Sequence, residues 1–598
     1  MRRYYYALML ASSLALAACT SNDDDWGTIS TITSSSSGDI DISVDDIEFD
    51  TSYLDEGTET IPSSDNDYVE NSTFSHTVYV TFDDSSATVT DADGAVQQSI
   101  SGAHVTLTSS TKEVEYILSG SSDDGSFKLY SDYKHKITLN GLTLTNPTGA
   151  AINDQCGKSM YIVLASGTEN TLTDGSTYSD SGDEDMKATL FSEGQIIFSG
   201  NGMLNVNANC KNGIASDDYI VFRPGNVINV ISSVSNGVKA NDSVTVRGGV
   251  LNIGVTTAGT KGINSEGQVT IEGGRTTILT YGGTVIEDSD TKSCAGIKSD
   301  STFTMTGGEL NIQSSGAGGK GINCDTDINI SGGTINVVTT GKQYTSGKYD
   351  SSPKGIKGDS AVVVSGGEVN VTCTGGDGAE GIESKSTITI SGGDIIVNSY
   401  DDAINASTKI TISGGRVYAC ATNNDGIDSN GTLYITGGTV IAFGTSTPEG
   451  PFDCDNSTFA ITGGTVIGMG GESSVPTTSA TKQPVILLGG KSYSNGTYVS
   501  LHNSSGTGLF SFKVPRSYTS CVLVVSSPSM SVGSSYTIKS GVSVSGGTTW
   551  QGFSDDATIS GGSTLQTVSI SSYVTTSGST SSSIGLGGMG AGGFGGRW

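Results

Sequence analysis

Gly381-Ile382-Glu383-Ser384-Lys385-Ser386-Thr387-Ile388-Thr389-Ile390-Ser391-Gly392-Gly393 is one statement of a phrase that the chain repeats between residues 236 and 470. A Gly followed by Ile or Val opens it, a small residue stands two places later, apolar residues alternate, and Gly-Gly closes it. Gly262-Ile263-Asn264-Ser265 runs through Val269 and Ile271 to Gly273-Gly274, and Gly426-Ile427-Asp428-Ser429 through Leu433 and Ile435 to Gly437-Gly438. The step from the first Gly to the Gly-Gly is 11 residues in each, as it is from Gly237, Gly296, Gly321 and Gly355. Only the return stretch varies in length, so the repeat spans roughly 22 to 34 residues. A fixed segment joined to one elastic loop is what a solenoid needs, because each coil must register on its neighbour.

Period-two alternation broken by glycine corners means short strands. A coil of this length holds about three of them, and like residues then stack on like about 4.8 Å apart. The expected fold is all-β: a parallel β-helix, right-handed because parallel crossovers almost always are, over residues 73–475. Two columns would point inward: Val238, Ile263, Ile297, Ile322, Ile356, Ile382 and Ile427, and the small Ala240, Ser265, Ser299, Cys324, Gly358, Ser384 and Ser429. Cys324 and Cys454 are therefore read as core residues, and no paired cysteine spacing points to a disulfide framework. The pattern stops after Gly471. Residues 483–572 read as a β-rich region whose antiparallel strands cap the solenoid, and 573–598 as a Ser/Gly-rich tail.

The net charge is −31, which excludes a nucleic-acid partner, since phosphates demand a basic face. At the N-terminus Met1-Arg2-Arg3 precedes an apolar run from Ala7 to Ala18 that is too short to span a bilayer. Its ending, Leu16-Ala17-Ala18-Cys19, resembles the bacterial lipobox. Residues 1–18 are thus expected to be a lipoprotein signal peptide and Cys19 the lipidated first residue, anchoring the protein at the cell surface of the outer membrane. Asp23-Asp24-Asp25 resembles a surface-export tag. Residues 19–72 carry no Lys or Arg and read as an acidic, disordered tether.

The outward positions hold the candidate ligands. The residue after each interior Ile gives Lys239, Asn264, Lys298, Asn323, Lys357, Glu383, Asn405, Asp428 and Asp453. The residue just before the Gly gives Glu380, Asp402 and Asp425 in the later coils, so stacking would crowd Glu380, Glu383, Asp401, Asp402, Asp425, Asp428, Asp453 and Asp455 onto one corner. Carboxylates about 4.8 Å apart repel one another, and a bound cation relieves them. Many oxygen ligands without His or Cys favour calcium. Lys239, Lys298 and Lys357 recur two coils apart, about 10 Å on strand spacing, near the repeat of an extended disaccharide. With Tyr344, Tyr349 and Tyr281 from the long return loops as stacking surfaces, they form the candidate polysaccharide site. The four histidines lie outside the regular coils, and no catalytic residue is assigned.

The Gly-Ile-x-Ser and x-Ile-x-Ile-Ser-Gly-Gly units resemble those of a family of bacterial carbohydrate-binding β-helix proteins. So do Asn170-Thr171-Leu172-Thr173-Asp174-Gly175 and the block from Ser527-Pro528 to Tyr536-Thr537. The likeness covers roughly residues 75 to 545. It implies a fold similar to pectate lyases, bound calcium, and binding of cellulosic or pectic polysaccharide without cleavage. Asp402, Asp425 and Asp428 match the acidic turn positions, while Gly358 and Lys385 break the column. A monomeric, surface-anchored glycan-binding lipoprotein is expected. The alternatives are a calcium-dependent polyuronate lyase, with Lys357 or Lys385 taking the α-proton, and a structural surface adhesin.

Overall fold

The computed structural model describes residues 48–579 apart from 55, 57, 58, 180, 181, 183 and 456. The expected signal peptide, Cys19, residues 19–47 and residues 580–598 lie outside the described residues. The described residues are almost wholly strand and turn. They divide into two compact units, one of residues 491–520 and 535–569, the other of residues 48–490, 521–534 and 570–579.

The larger unit is a parallel β-solenoid whose coils each contribute strands to three ladders. In the leading ladder, a 15-stranded sheet, Ile263 pairs with Ile297, and the column continues through Ile322, Ile356, Ile382, Ile404 and Ile427. In the middle ladder Val269 is followed by Phe303, Ile328, Val362, Ile388, Ile410 and Leu433. In the return ladder Leu310 is followed by Ile335, Val369, Ile395, Val417, Val440 and Val466. These side chains are all but inaccessible and form one continuous core. Cys324 and Cys454 lie in it, as the repeat predicts.

The glycines answer two requirements. Gly393 and its equivalents turn the corner with positive φ, +86° at Gly393, a region that side chains disfavour. Gly392 is excluded from carrying a Cβ because that atom would collide with the carbonyl of Ser365 one coil below, and a Cβ on Gly381 would strike Val397 across the interior. Asparagines reinforce the return ladder: Asn252 donates to Asn229, and Asn229 to Asn205, at 2.9 and 2.8 Å. The same ladder reappears as Asn370, Asn336 and Asn311.

Two boundaries differ from expectation. The acidic stretch expected to be a tether as far as residue 72 is instead tied to the solenoid at several of its described residues between 48 and 72. Arg223, 4% exposed, donates to Glu59 and Glu70 at 2.8 Å, and its guanidinium lies 4.2 Å from the Tyr68 ring centroid. Arg247 meets Asp67 at 2.7 Å, and Arg275 reaches Asp50 at 3.0 Å. Composition saw one sign of charge; the partners lie some two hundred positions away in the corners of successive coils. At the other end the cap is present, with Val522–Ser526 antiparallel to Val466–Gly470. The tail expected from 573 begins instead with Val574–Gly578, paired parallel to Val485–Gly489. The smaller unit is a four-stranded antiparallel sheet of Gly508–Lys513, Tyr498–His502, Ser535–Ser545 and Thr558–Ser569.

Candidate functional site

Each leading strand presents two outward positions, one before the Gly and one after the Ile. The second column is unbroken: Lys239, Asn264, Lys298, Asn323, Lys357, Glu383, Asn405, Asp428 and Asp453 pair in order. The first column carries Lys261, Ala295, Lys320, Lys354 and Glu380. It continues to Asp402 and Asp425, whose carbonyls accept from the backbone N–H of Gly381 and Ala403. The two columns make one polar face, cationic in the earlier coils and acidic in the later ones.

In the cationic half Lys239 pairs with Glu266 at 3.1 Å and Lys357 with Asp359, while Lys298 bridges Asp300 and Asp325 at 2.7 and 2.6 Å. Lys320 is different. Its ammonium is buried and, among the described residues, meets neutral groups alone, the hydroxyls of Ser293 and Ser351 at 2.8 and 2.9 Å and the Gly318 carbonyl at 3.3 Å. Burial, with Lys357 and Lys354 adding repulsion, lowers it to about 7. Ser351 ends the hairpin in which Tyr344–Ser346 pairs with Tyr349–Ser351, so the loop carrying Tyr344 and Tyr349 is rooted on this face. Both rings are half-buried, with the Lys348 ammonium 4.9 Å from the centroid of Tyr349. Tyr281 is buried and offers no stacking surface.

The halves meet at a buried ion cluster. Lys354 donates to Glu380 at 2.8 Å and lies 3.5 Å from Glu383, which also meets Lys385. Burial pulls the Lys354 ammonium down, but the Glu380 and Glu383 carboxylates outweigh it and hold it above its ordinary value. Glu383, expected among the metal ligands, is thus buried and already answered by two lysines. Gly358, lacking a side chain, makes no difference here, since its column faces the interior.

Beyond that cluster the carboxylates gather. The amide of Asn405 donates to Asp402 Oδ2 at 3.2 Å and to Asp428 Oδ2 at 2.6 Å, so one side chain joins two of them. Asp402 Oδ1 accepts from the Asp425 N–H at 3.0 Å, and Asp425 Oδ1 from the Gly450 N–H at 2.5 Å. Burial raises all three acids; Asp425 reaches about 8 and Asp428 about 7, while Asp402, which also feels Asp428, Glu380 and Asp425, is pushed well above the carboxylate range. Asp401 turns to the Gly378 N–H and the Asn424 amide, and Asp453 accepts from Ser474. Asp455 is exposed at the rim. Asp402 comes from one coil and Asp425 and Asp428 from the next, and their oxygens gather here without closing into a cage. Among the described residues, three metal-binding side chains with donor atoms within 4.8 Å of one another occur instead at His135, Asp154 and Cys156.

Lys320 and Lys354 escaped the sequence reading although their signal was present. The position before the Gly, read for acids in the later coils, gives Lys261, Lys320 and Lys354 in the earlier ones.

Residues 101–259, 316–379 and 375–423 match a family described as carbohydrate-binding domain-containing proteins. The matched residues include Lys239, Lys320, Lys354, Lys357, Glu383 and Asp402 of the polar face, while Lys298, Asp425 and Asp428 lie outside them. A carbohydrate-binding domain-containing protein of Acetivibrio thermocellus is 32% identical over 141 residues, 23% of this chain. The chain spans about half of that relative, 47%. A solved polysaccharide lyase-like protein from C. thermocellum, a gadolinium derivative, is 29% identical; the likeness covers 42% of this chain and 96% of that one, with a TM-score of 0.35.

Proposed function

We propose that the protein is a surface-anchored carbohydrate-binding lipoprotein that lays plant-type polysaccharide, cellulosic or pectic, along the outer face of the leading ladder. The observation that carries this reading is the unbroken register from Lys239 to Asp453, a ruler of polar side chains one strand spacing apart. Alternate positions fall about 10 Å apart, which suits a sugar chain running along the ladder. The family match over much of this face supports it. Lys239, Lys298 and Lys357 would donate to ring and carboxylate oxygens, and Tyr344 and Tyr349 would stack on sugar rings.

Asp402, Asp425 and Asp428 are the residues that would hold calcium. Their donors are all hard oxygens, and burial, with the neighbouring carboxylates adding repulsion, raises all three acids, a condition that a divalent cation relieves. Retention of pectate and of cellulose oligosaccharides on immobilised protein, with and without chelator, tests the reading. Acidic glycans are expected to be released by chelator and neutral ones retained; no retention of either class overturns it. Cys19→Ala is expected to move the protein from the membrane fraction to the medium.

A second reading, polyuronate lyase, rests on Lys320, whose amine on this face meets the neutral hydroxyls of Ser293 and Ser351 and is pulled down by burial to about 7, where an amine can accept a proton at neutral pH. Unsaturated products formed from pectate by the wild type and lost in Lys320→Met would establish it.

A further inference from the structure

Two interior columns break at the same coil. Followed towards the N-terminus, the small column of Ser265, Ala240, Ser216 and Ser192 arrives at Asp154, a fully buried carboxylate where every later coil has Ser, Ala, Gly or Cys. The apolar column of Val269, Val244, Ile220, Ile196 and Met160 arrives at His135, the one imidazole in a stack of hydrocarbon. The two exceptions meet: His135 Nε2 lies 3.5 Å from Asp154 Oδ1, with side-chain exposures of 1% and 0%. Among the described residues neither atom has a hydrogen-bond partner. Cys156, also buried, brings its sulfur within 4.8 Å of both.

We propose that His135 Nε2, Asp154 Oδ1 and the Cys156 thiolate bind a structural zinc ion, or a divalent cation of like softness, inside this coil. The donor set is mixed nitrogen, oxygen and sulfur, which suits zinc rather than calcium. Charge balance points the same way: carboxylate, thiolate and neutral imidazole sum to −2, and a divalent cation leaves the apolar interior neutral. Binding displaces the thiol proton and any proton on Asp154, both of which pass to solvent as the site assembles. The supporting contacts orient the ligands. Placed 3.2 Å from the Tyr133 carbonyl, His135 Nδ1 carries the proton and leaves Nε2 bare; Asp154 Oδ2 accepts from Ser192 at 2.8 Å. The buried Tyr116 ring packs edge-on against the imidazole, its centroid 6.0 Å from that of His135.

The test uses the full chain without a histidine tag, refolded with zinc or cobalt(II) and dialysed. Elemental analysis is expected to find about one zinc per chain, and the cobalt form is expected to show a thiolate-to-cobalt charge-transfer band. Cys156→Ser removes the band, and His135→Ala lowers the zinc content to background. Should those variants fail to fold, the pair His135→Val with Asp154→Ser restores what the neighbouring coils carry; it is expected to fold with unchanged circular dichroism and no zinc. Wild type that holds no metal after refolding, cobalt bound without a thiolate band, or equal zinc content in Cys156→Ser overturns the proposal.

Discussion

Ile382 and Thr389 report the inside–outside register of one coil. Ile382 is stacked between Ile356 and Ile404 and is 1% exposed, whereas Thr389 points outward between the buried Ile388 and Ile390. Ile382→Asp places an unpaired carboxylate in hydrocarbon and is expected to cost at least about 4 kcal/mol. Thr389→Asp is expected to change stability by less than about 0.5 kcal/mol. Thermal or urea melts giving equal losses would show the register to be inverted. Lys320 gives a second prediction at this scale. In the unfolded chain its amine stays protonated to about 10.4, whereas in the fold it loses the proton near 7. Between those values the unfolded state binds more protons, so stability rises with pH through this window and is flat below it. Lys320→Met lacks this dependence. The variant is therefore expected to be the more stable near pH 7, with its advantage shrinking by up to about 1.4 kcal/mol per pH unit towards pH 10. A constant difference between the two proteins across that range would contradict the buried amine.

At the scale of the element, the leading ladder was legible because its alternation and its spacing both came from the sequence. The column from Lys239 to Asp453 is in the register the repeat dictates, and the corner of Asp402, Asp425 and Asp428 assembles as stacking requires. What stacking alone could not give was the answer each charge receives. Glu383 was legible as an outward position, but Lys354 and Lys385 bury it, and that depends on side-chain reach from neighbouring coils. Asp401 likewise turns to Gly378 and Asn424. The acidic corner carries the third prediction. If calcium binds there, it ties two successive coils together and stabilises the native state by RT ln(1 + [L]/Kd), about 2.7 kcal/mol at a hundredfold excess over Kd. Chelator is then expected to lower the melting temperature of the wild type, and Asp425→Asn with Asp428→Asn to abolish that response. Indifference of the wild type to chelator, with no calcium in elemental analysis, would leave the corner an acidic surface.

For the whole molecule, the sequence revealed the solenoid and concealed what is laid against it. Repeats announce themselves by period, whereas residues 48–72 have no period and show only their charge. Their order depends on Arg223, Arg247 and Arg275, which stand in the corners of successive coils, and no local pattern links Glu59 to a residue 164 positions away. The His135, Asp154 and Cys156 trio was concealed for a related reason: it lies before the regular repeats, where the columns become visible only once the register is known. Arg223 makes the strap testable. Its guanidinium is the shared partner of Glu59 and Glu70 and covers the face of Tyr68, so Arg223→Ala leaves two carboxylates unanswered and removes the cation–π contact. The loss is expected to be about 2 kcal/mol, a factor of about thirty in local opening. Because the strap contains no Lys or Arg, trypsin cannot report it, but a glutamate-specific protease can cut after Glu59 and Glu70. Cleavage there is expected to accelerate about thirtyfold in Arg223→Ala, while the solenoid keeps its melting temperature, since its core strands are untouched. Equal cleavage rates in wild type and variant would mean that the strap is held by something other than this arginine.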